Sequence, residues 1–286
     1  MNAPQLDPIV TTDWLAEQLG AADLRILDGT YFLPNIPRDA AAEFASEHIP
    51  GAVFFDIDTV KDPENDLPHM LPAPELFSSQ VRQMGIGDGD RIVVYDRLGM
   101  FSAPRVWWSF RVFGHENVAV LDGGLPKWVT EERPVTDETN EITPGHFTAR
   151  FNADLVRTFD QVKDNLESGI ETLVDGRPSD RFDGSAPEPR EGLKRGHIPH
   201  SINLTPAQLM NPDSGTFLTV SELASVFENA GIDPTAPVAM TCGSGVAASA
   251  LSLARYLITG DIAPVYDGSW SEWGGRDDAP AATKPS

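Results

Sequence analysis

The chain repeats itself once, in order and at nearly constant spacing, and this limits it to two copies of one domain. Ile26-Leu27-Asp28-Gly29 returns as Leu173-Val174-Asp175-Gly176, 147 residues on when counted at the Asp. Glu47-His48-Ile49-Pro50 returns as Gly196-His197-Ile198-Pro199 at 149 residues, and Arg91–Asp96 returns as Pro237–Cys242 at 146. Leu121-Asp122-Gly123 with Trp128 returns as Tyr266-Asp267-Gly268 with Trp273, both at 145. Solenoid units repeat every ~20–50 residues, so this period is too long for one; it matches a domain of ordinary size. The expected division is a first domain over 1–135, a linker over 136–150 and a second domain over 151–286. Thr136–Gly145 has Thr, Glu and Pro with few large apolar residues, and reads as a surface linker.

Within each copy, short apolar runs end at Asp or Cys: Leu24–Asp28, Arg91–Asp96 and Val118–Asp122, then Thr172–Asp175, Pro237–Cys242 and Pro264–Asp267. Their length and β-branched content predict strands. Helical patterns lie between them at Asp13–Leu19, Ala103–Phe113, Ser221–Ala230 and Val246–Leu257, the third with a cap at Thr219 or Ser221. Strands alternating with helices predict an α/β fold, each copy a mostly parallel sheet covered on both faces. Such sheets bind ligands beyond the carboxyl ends of their strands, which is where Cys242 falls.

Charge narrows the function. The 286 residues carry 43 acidic against 21 basic side chains, a formal net charge of -22. That argues against nucleic acid and anionic membrane surfaces as partners, since both require cationic patches. No run reaches the ~18 apolar residues of a membrane span. Met1–Leu6 lacks the basic-then-apolar pattern of a secretion signal, so the cytoplasm is the expected compartment. Cys242 stands alone, which excludes an internal disulfide and any metal site of several thiolates.

After the strand at Pro237–Thr241 comes Cys242-Gly243-Ser244-Gly245-Val246-Ala247-Ala248. The glycines permit a tight loop whose amides converge on one centre, and the helix that follows adds its positive end. Such a cradle suits an anion and would favour a thiolate at its first position. It lacks the Lys of a nucleotide-binding loop. A phosphatase loop of the form C-x5-R would place Arg at 248, where this chain has Ala248. The first copy has Asp96 in place of Cys242, so only the second can perform thiol chemistry. Transfer of sulfane sulfur through a cysteine persulfide fits the small, neutral loop.

Here a resemblance becomes specific. From about Thr11 to Gly275 the chain resembles the tandem rhodanese-domain sulfurtransferases. The segments that carry it are His48–Ala52, Phe54–Asp58, His69–Pro72, Ser102–Trp108, Pro187–Arg190, Cys242–Val246 and Tyr266–Trp270. The resemblance implies two rhodanese-like domains, the first catalytically silent, and no metal or organic cofactor. Cys-Gly-Ser-Gly-Val at Cys242–Val246 resembles the loop of members acting on 3-mercaptopyruvate; those specific for thiosulfate carry cations directly after the cysteine. The implied reaction passes sulfur from 3-mercaptopyruvate through a Cys242 persulfide to cyanide or a thiol such as thioredoxin, releasing pyruvate. The family's carboxylate-binding arginines map to Arg181 and Arg190, and its proton-handling groups to Asp58, His69 and Ser244. The amides of Gly243, Gly245 and Val246 would stabilise developing negative charge. Thiosulfate sulfur transfer and a non-catalytic persulfide redox sensor are the alternatives.

Other residues read as structural. His48 and His197 match across the copies although only one copy has a nucleophile, and Arg177 reads as a partner of Asp175. Trp107, Trp108, Trp128, Trp270 and Trp273 read as packing. The chain departs from the family pattern at Gly176, His200 and Ala247, where a small side chain, Gly and Thr are common.

Overall fold

A computed structural model describes residues Gln5–Thr283; the outer ends of both expected domains and most of Met1–Leu6 lie outside these. The first half runs β1 (Ile9–Val10), α1 (Thr12–Gln18), β2 (Leu24–Asp28), α2 (Ala40–Ser46), β3 (Ala52–Phe54), α3 (Pro74–Gln83), β4 (Arg91–Tyr95), α4 (Ala103–Val112), β5 (Val118–Leu121) and α5 (Gly124–Thr130). The second runs β6 (Val156–Arg157), α6 (Phe159–Ser168), β7 (Thr172–Asp175), α7 (Ser179–Phe182), β8 (Ile202–Asn203), α8 (Val220–Asn229), β9 (Val238–Thr241), α9 (Val246–Thr259), β10 (Val265–Tyr266) and α10 (Ser269–Trp273). The sheets have orders β1-β5-β4-β2-β3 and β6-β10-β9-β7-β8, parallel throughout, so one topology occurs twice.

β4 and β9 are buried at every position, which explains why their sequences are apolar runs without alternation. The outer faces of the sheets form separate cores, one around Ile26, Val93 and Trp128, the other around Leu173, Tyr266 and Trp273. The inner faces, covered by α4 and α9, form a single core that passes from one domain into the other. Trp107 of α4 packs 5.7 Å from Tyr256 of α9, and Arg111 lies over both rings. All five tryptophans read as packing are buried.

The expected linker is anchored as a strap. Residues 137–144 are exposed, but His48 and Thr136 exchange backbone hydrogen bonds of 2.8 and 2.9 Å, and Asn140 donates to the Ala52 carbonyl. Phe147 is buried against Phe77 and Phe110, so the end of that stretch belongs to the first domain's core. His197 and Ala282 repeat the His48–Thr136 exchange. His48 stacks on Phe44 and His197 on Phe182, each ring bonded through Nδ1 to that residue's carbonyl. Matched packing of this kind accounts for both histidines. The α8 cap is Thr219, paired reciprocally with Glu222.

Candidate active site

β7 and β9 are neighbours in register, Asp175 beside Thr241, so the chain leaving each strand enters one crevice. β9 delivers Cys242; β7 delivers Gly176, Arg177 and α7 with Arg181. The Cys242 peptide is clamped: its N–H donates to Ser269 Oγ, and its carbonyl accepts from Trp270 N at 2.9 Å. Ser271 donates twice to the Gly243 carbonyl. Ser269 adopts φ 49°, in the left-handed region that L side chains avoid. It holds there because its hydroxyl bridges Cys242 N and the Tyr266 carbonyl. Among the described residues, no carbonyl or side-chain oxygen accepts from the amides of Gly243, Ser244, Gly245 or Val246.

The first copy shows what such a loop does when filled. The Asp96 carboxylate accepts from the amides of Leu98, Met100, Ser102 and Ala103 at 2.8–3.1 Å. The first domain's loop between β4 and α4 spans 96–102, three residues longer than 242–245 between β9 and α9, and it is closed on its own side chain.

A cavity of about 230 Å³ lies over Cys242. Arg181, Arg190, Gly243, Ser244 and Val246 line it, together with Tyr31, Leu33 and Phe101 from the first domain. Gly245 does not: it caps α9 at φ 77°, and a Cβ there would stand 2.6 Å from Arg105 Nη1. Gly176 also lines the cavity; a Cβ there would press on Leu251 at 3.2 Å, so glycine lets the chain leaving β7 lie close to α9.

His69 reaches the same loop from the other side. Its Nδ1 is 2.9 Å from Ser244 Oγ, and its Nε2 is 3.0 Å from Asp58 Oδ1. The imidazole is 1% exposed, whereas the Asp58 side chain is 61% exposed, so the chain of groups runs from the buried thiol loop to solvent. Burial holds His69 below the ordinary histidine pKa, outweighing the Asp58 hydrogen bond; that same bond holds Asp58 below the usual carboxylate range. The ground state is therefore neutral imidazole with Nε2–H donating to carboxylate and Nδ1 accepting from the Ser244 hydroxyl.

The arginines differ in what they are free to do. Arg177 is buried and spent: it pairs with Asp175 at 2.6 Å and Glu188 at 2.8 Å, and lies over Trp270. Arg181 touches Glu188 at 3.5 Å. Arg190 forms no ion pair among the described residues; it donates to the Tyr31 hydroxyl at 3.3 Å and feels the Asp58 carboxylate only at longer range. A guanidinium left unpaired at a cavity wall suits an incoming carboxylate.

Sequence reasoning missed three residues here. Tyr31 lines the cavity, and its ring stands edge-on to His69, 4.7 Å between centroids. Arg105 donates to the His69 carbonyl and pairs with Asp267 at 2.8 Å; Asp267 in turn accepts from Leu71 N at 2.7 Å. These contacts hold His69, at φ 62°, against the second domain. An arginine within the run Ala103–Trp108 was the available signal, since a buried charge requires a partner.

The rhodanese-like domain family matches residues 11–131 and 158–276. The chain is 40% identical to human 3-mercaptopyruvate sulfurtransferase over 280 residues, covering 96% of this chain and 94% of that one. It is 39% identical to the Escherichia coli protein of the same name, covering 95% and 96%, and 41% identical to rat thiosulfate sulfurtransferase, covering 97% and 95%. Among solved structures, the Escherichia coli 3-mercaptopyruvate sulfotransferase SseA superposes with a TM-score of 0.84 at 36% identity, covering 93% of this chain and 99% of that one. With one matched domain in each half and relatives of this likeness along nearly its whole length, the chain belongs to the rhodanese family.

Proposed function

We propose that the protein is a 3-mercaptopyruvate sulfurtransferase whose second domain carries the chemistry and whose first is silent as a nucleophile. The observation that carries this reading is that one cavity is lined by a lone thiol, by Gly243, Ser244 and Val246 with their uncommitted amides, and by an arginine in no ion pair among the described residues. The Cys242 thiolate attacks the sulfur of 3-mercaptopyruvate, whose carboxylate Arg190 and Arg181 hold. The carbon–sulfur bond breaks, its electron pair leaves as the enolate of pyruvate, and Cys242 keeps the sulfur as a persulfide. The Asp58–His69–Ser244 chain moves the proton, from the attacking or donor thiol to the enolate carbon. The cradle amides stabilise negative charge as it shifts between sulfurs. A thiol, thioredoxin among them, or cyanide then removes the outer sulfur. We place this activity in the cytoplasm, on a chain in which no helix among the described residues is long and apolar enough to cross a membrane.

A second reading, thiosulfate sulfur transfer, draws on the rat relative of that name. Gly243 and Ser244 speak against it, because a dianion calls for cations in the loop. The deciding experiment is kcat/KM for 3-mercaptopyruvate and thiosulfate on the purified protein. A higher value for thiosulfate reverses the assignment, and absence of turnover with both leaves a persulfide sensor.

A further inference from the structure

Beside the cavity over Cys242 lies a larger one, of about 760 Å³. Leu33, Phe101, Pro206 and Ala207 line both, so the two are contiguous along one wall. A small keto acid fits the first. Nothing in the donor's chemistry calls for the second.

The larger cleft is apolar and free of carboxylates, on a chain of net charge -22. Leu98 and Ile36 on its walls are 44% and 41% exposed. Its one cation among the described residues, Arg38, is committed to Glu43 through bonds of 2.6 and 2.7 Å and lies over the Phe32 ring. The loop that Asp96 closes in the first domain brings Leu98 and Phe101 to this cleft, so the silent copy supplies its wall. Asn211 and the Glu43-paired Arg38 are the polar side chains on its walls, among Phe32, Leu33, Leu98, Phe101 and Met210, so an uncharged apolar occupant gains most, by the burial of alkyl or aryl surface.

We propose that this cleft binds the body of the sulfur acceptor, and that its occupant is a small organic thiol with an uncharged alkyl or aryl group. This rests on the reading of Cys242 as a persulfide carrier. The acceptor sulfur attacks the outer persulfide sulfur, the sulfur–sulfur bond breaks, and its electron pair returns to Cys242 Sγ. The acceptor's proton passes to Cys242, so that R–SH and Cys–S–SH become R–S–SH and Cys–SH, with no oxidant or reductant consumed.

The test separates the two half-reactions. Single-turnover pyruvate release from 3-mercaptopyruvate, with a mass gain of one sulfur on Cys242, is measured in wild type, Leu98→Glu, Ile36→Glu and the milder Leu98→Ala. Equal bursts in all four establish the carrier and show that the variants fold; no burst in wild type sinks the functional reading and this inference with it. Discharge is then followed with straight-chain thiols from ethanethiol to hexanethiol, and with 2-mercaptoethanol as the polar control. In wild type, kcat/KM rises roughly two- to fourfold per methylene. In the Glu variants the gain for hexanethiol falls about tenfold or more while ethanethiol is unaffected. Chain-length independence in wild type, or an undiminished slope in the variants, overturns the proposal even where the burst is intact.

Discussion

The His69 imidazole accepts a hydrogen bond from the Ser244 hydroxyl across 2.9 Å of space, 175 residues of sequence and one domain boundary. His69 is held in a left-handed backbone conformation by Arg105, itself paired with Asp267 of the other domain. Residues of both domains thus fix the direction in which the imidazole points.

The first expectation concerns pH. Burial keeps His69 below its ordinary 6.5, so it is neutral at pH 7, and the acid limb of kcat/KM for 3-mercaptopyruvate falls below pH 6.5. Asp58→Asn removes a group that raises the His69 pKa, so the limb moves lower still, while kcat drops about a hundredfold. Stability follows the same sign. Between the folded and unfolded pKa values the unfolded chain binds more protons, so stability is lost as pH falls from 6.5 towards the folded value. Denaturant titrations at several pH values should show this slope in wild type and lose part of it in His69→Gln.

Cys242→Ser removes sulfur transfer and preserves the fold. A hydroxyl cannot carry a persulfide, and the clamp through Ser269, Trp270 and Ser271 uses backbone atoms of 242 and 243 that the change retains. Mass spectrometry after donor treatment should find one added sulfur on wild type and none on the variant. Residual turnover in the variant would remove Cys242 from the mechanism.

Arg190→Ala should raise KM for 3-mercaptopyruvate by roughly one to two decades, the value of a lost charge-assisted contact of ~1.5–3 kcal/mol. Arg181→Ala should cost less, because Arg181 already leans on Glu188 at 3.5 Å. Tyr31→Phe takes away only the hydroxyl that steadies Arg190, and should raise KM a fewfold with kcat nearly unchanged. Thiosulfate use should change less in each case. Equal losses for both donors would refute carboxylate recognition by these arginines.

Asp96→Ala should injure the fold more than the chemistry. Four backbone amides lose their acceptor, three of them on buried residues, so several kcal/mol of stability are at stake at ~1–3 kcal/mol per unsatisfied group. Denaturant unfolding measures that loss. The pyruvate burst per folded molecule should stay close to wild type, in contrast to Cys242→Ser.

The central strands were legible because a parallel strand covered on both faces needs an apolar run, and β2 and β7 have the bounds expected from sequence. The edge strands β1, β6 and β8 span two residues each, too few to show any period. Cys242 could be placed at a strand end and at the head of a loop because both signals are local. Arg105 could not be paired with Asp267, since 162 residues separate the partners and neither segment declares the other. His200 stands at φ 67° where Gly51 holds φ 83° in the first copy, so a departure seen in sequence falls on a position that favours glycine.

The short stretch between Asn152, the last residue bonded to α4, and β6 joins two lobes that share one centre. If it were cut and the fragments mixed, each would hold half a reaction: one the thiol, the other the imidazole. Velocity would then rise with the product of two concentrations at high dilution, making turnover a gauge of how well the lobes dock. Heating that loosens their inner seam would silence the thiol before either sheet melts. On the proposed mechanism the duplicated half is thus no spare, because the half with the thiol draws its imidazole from it.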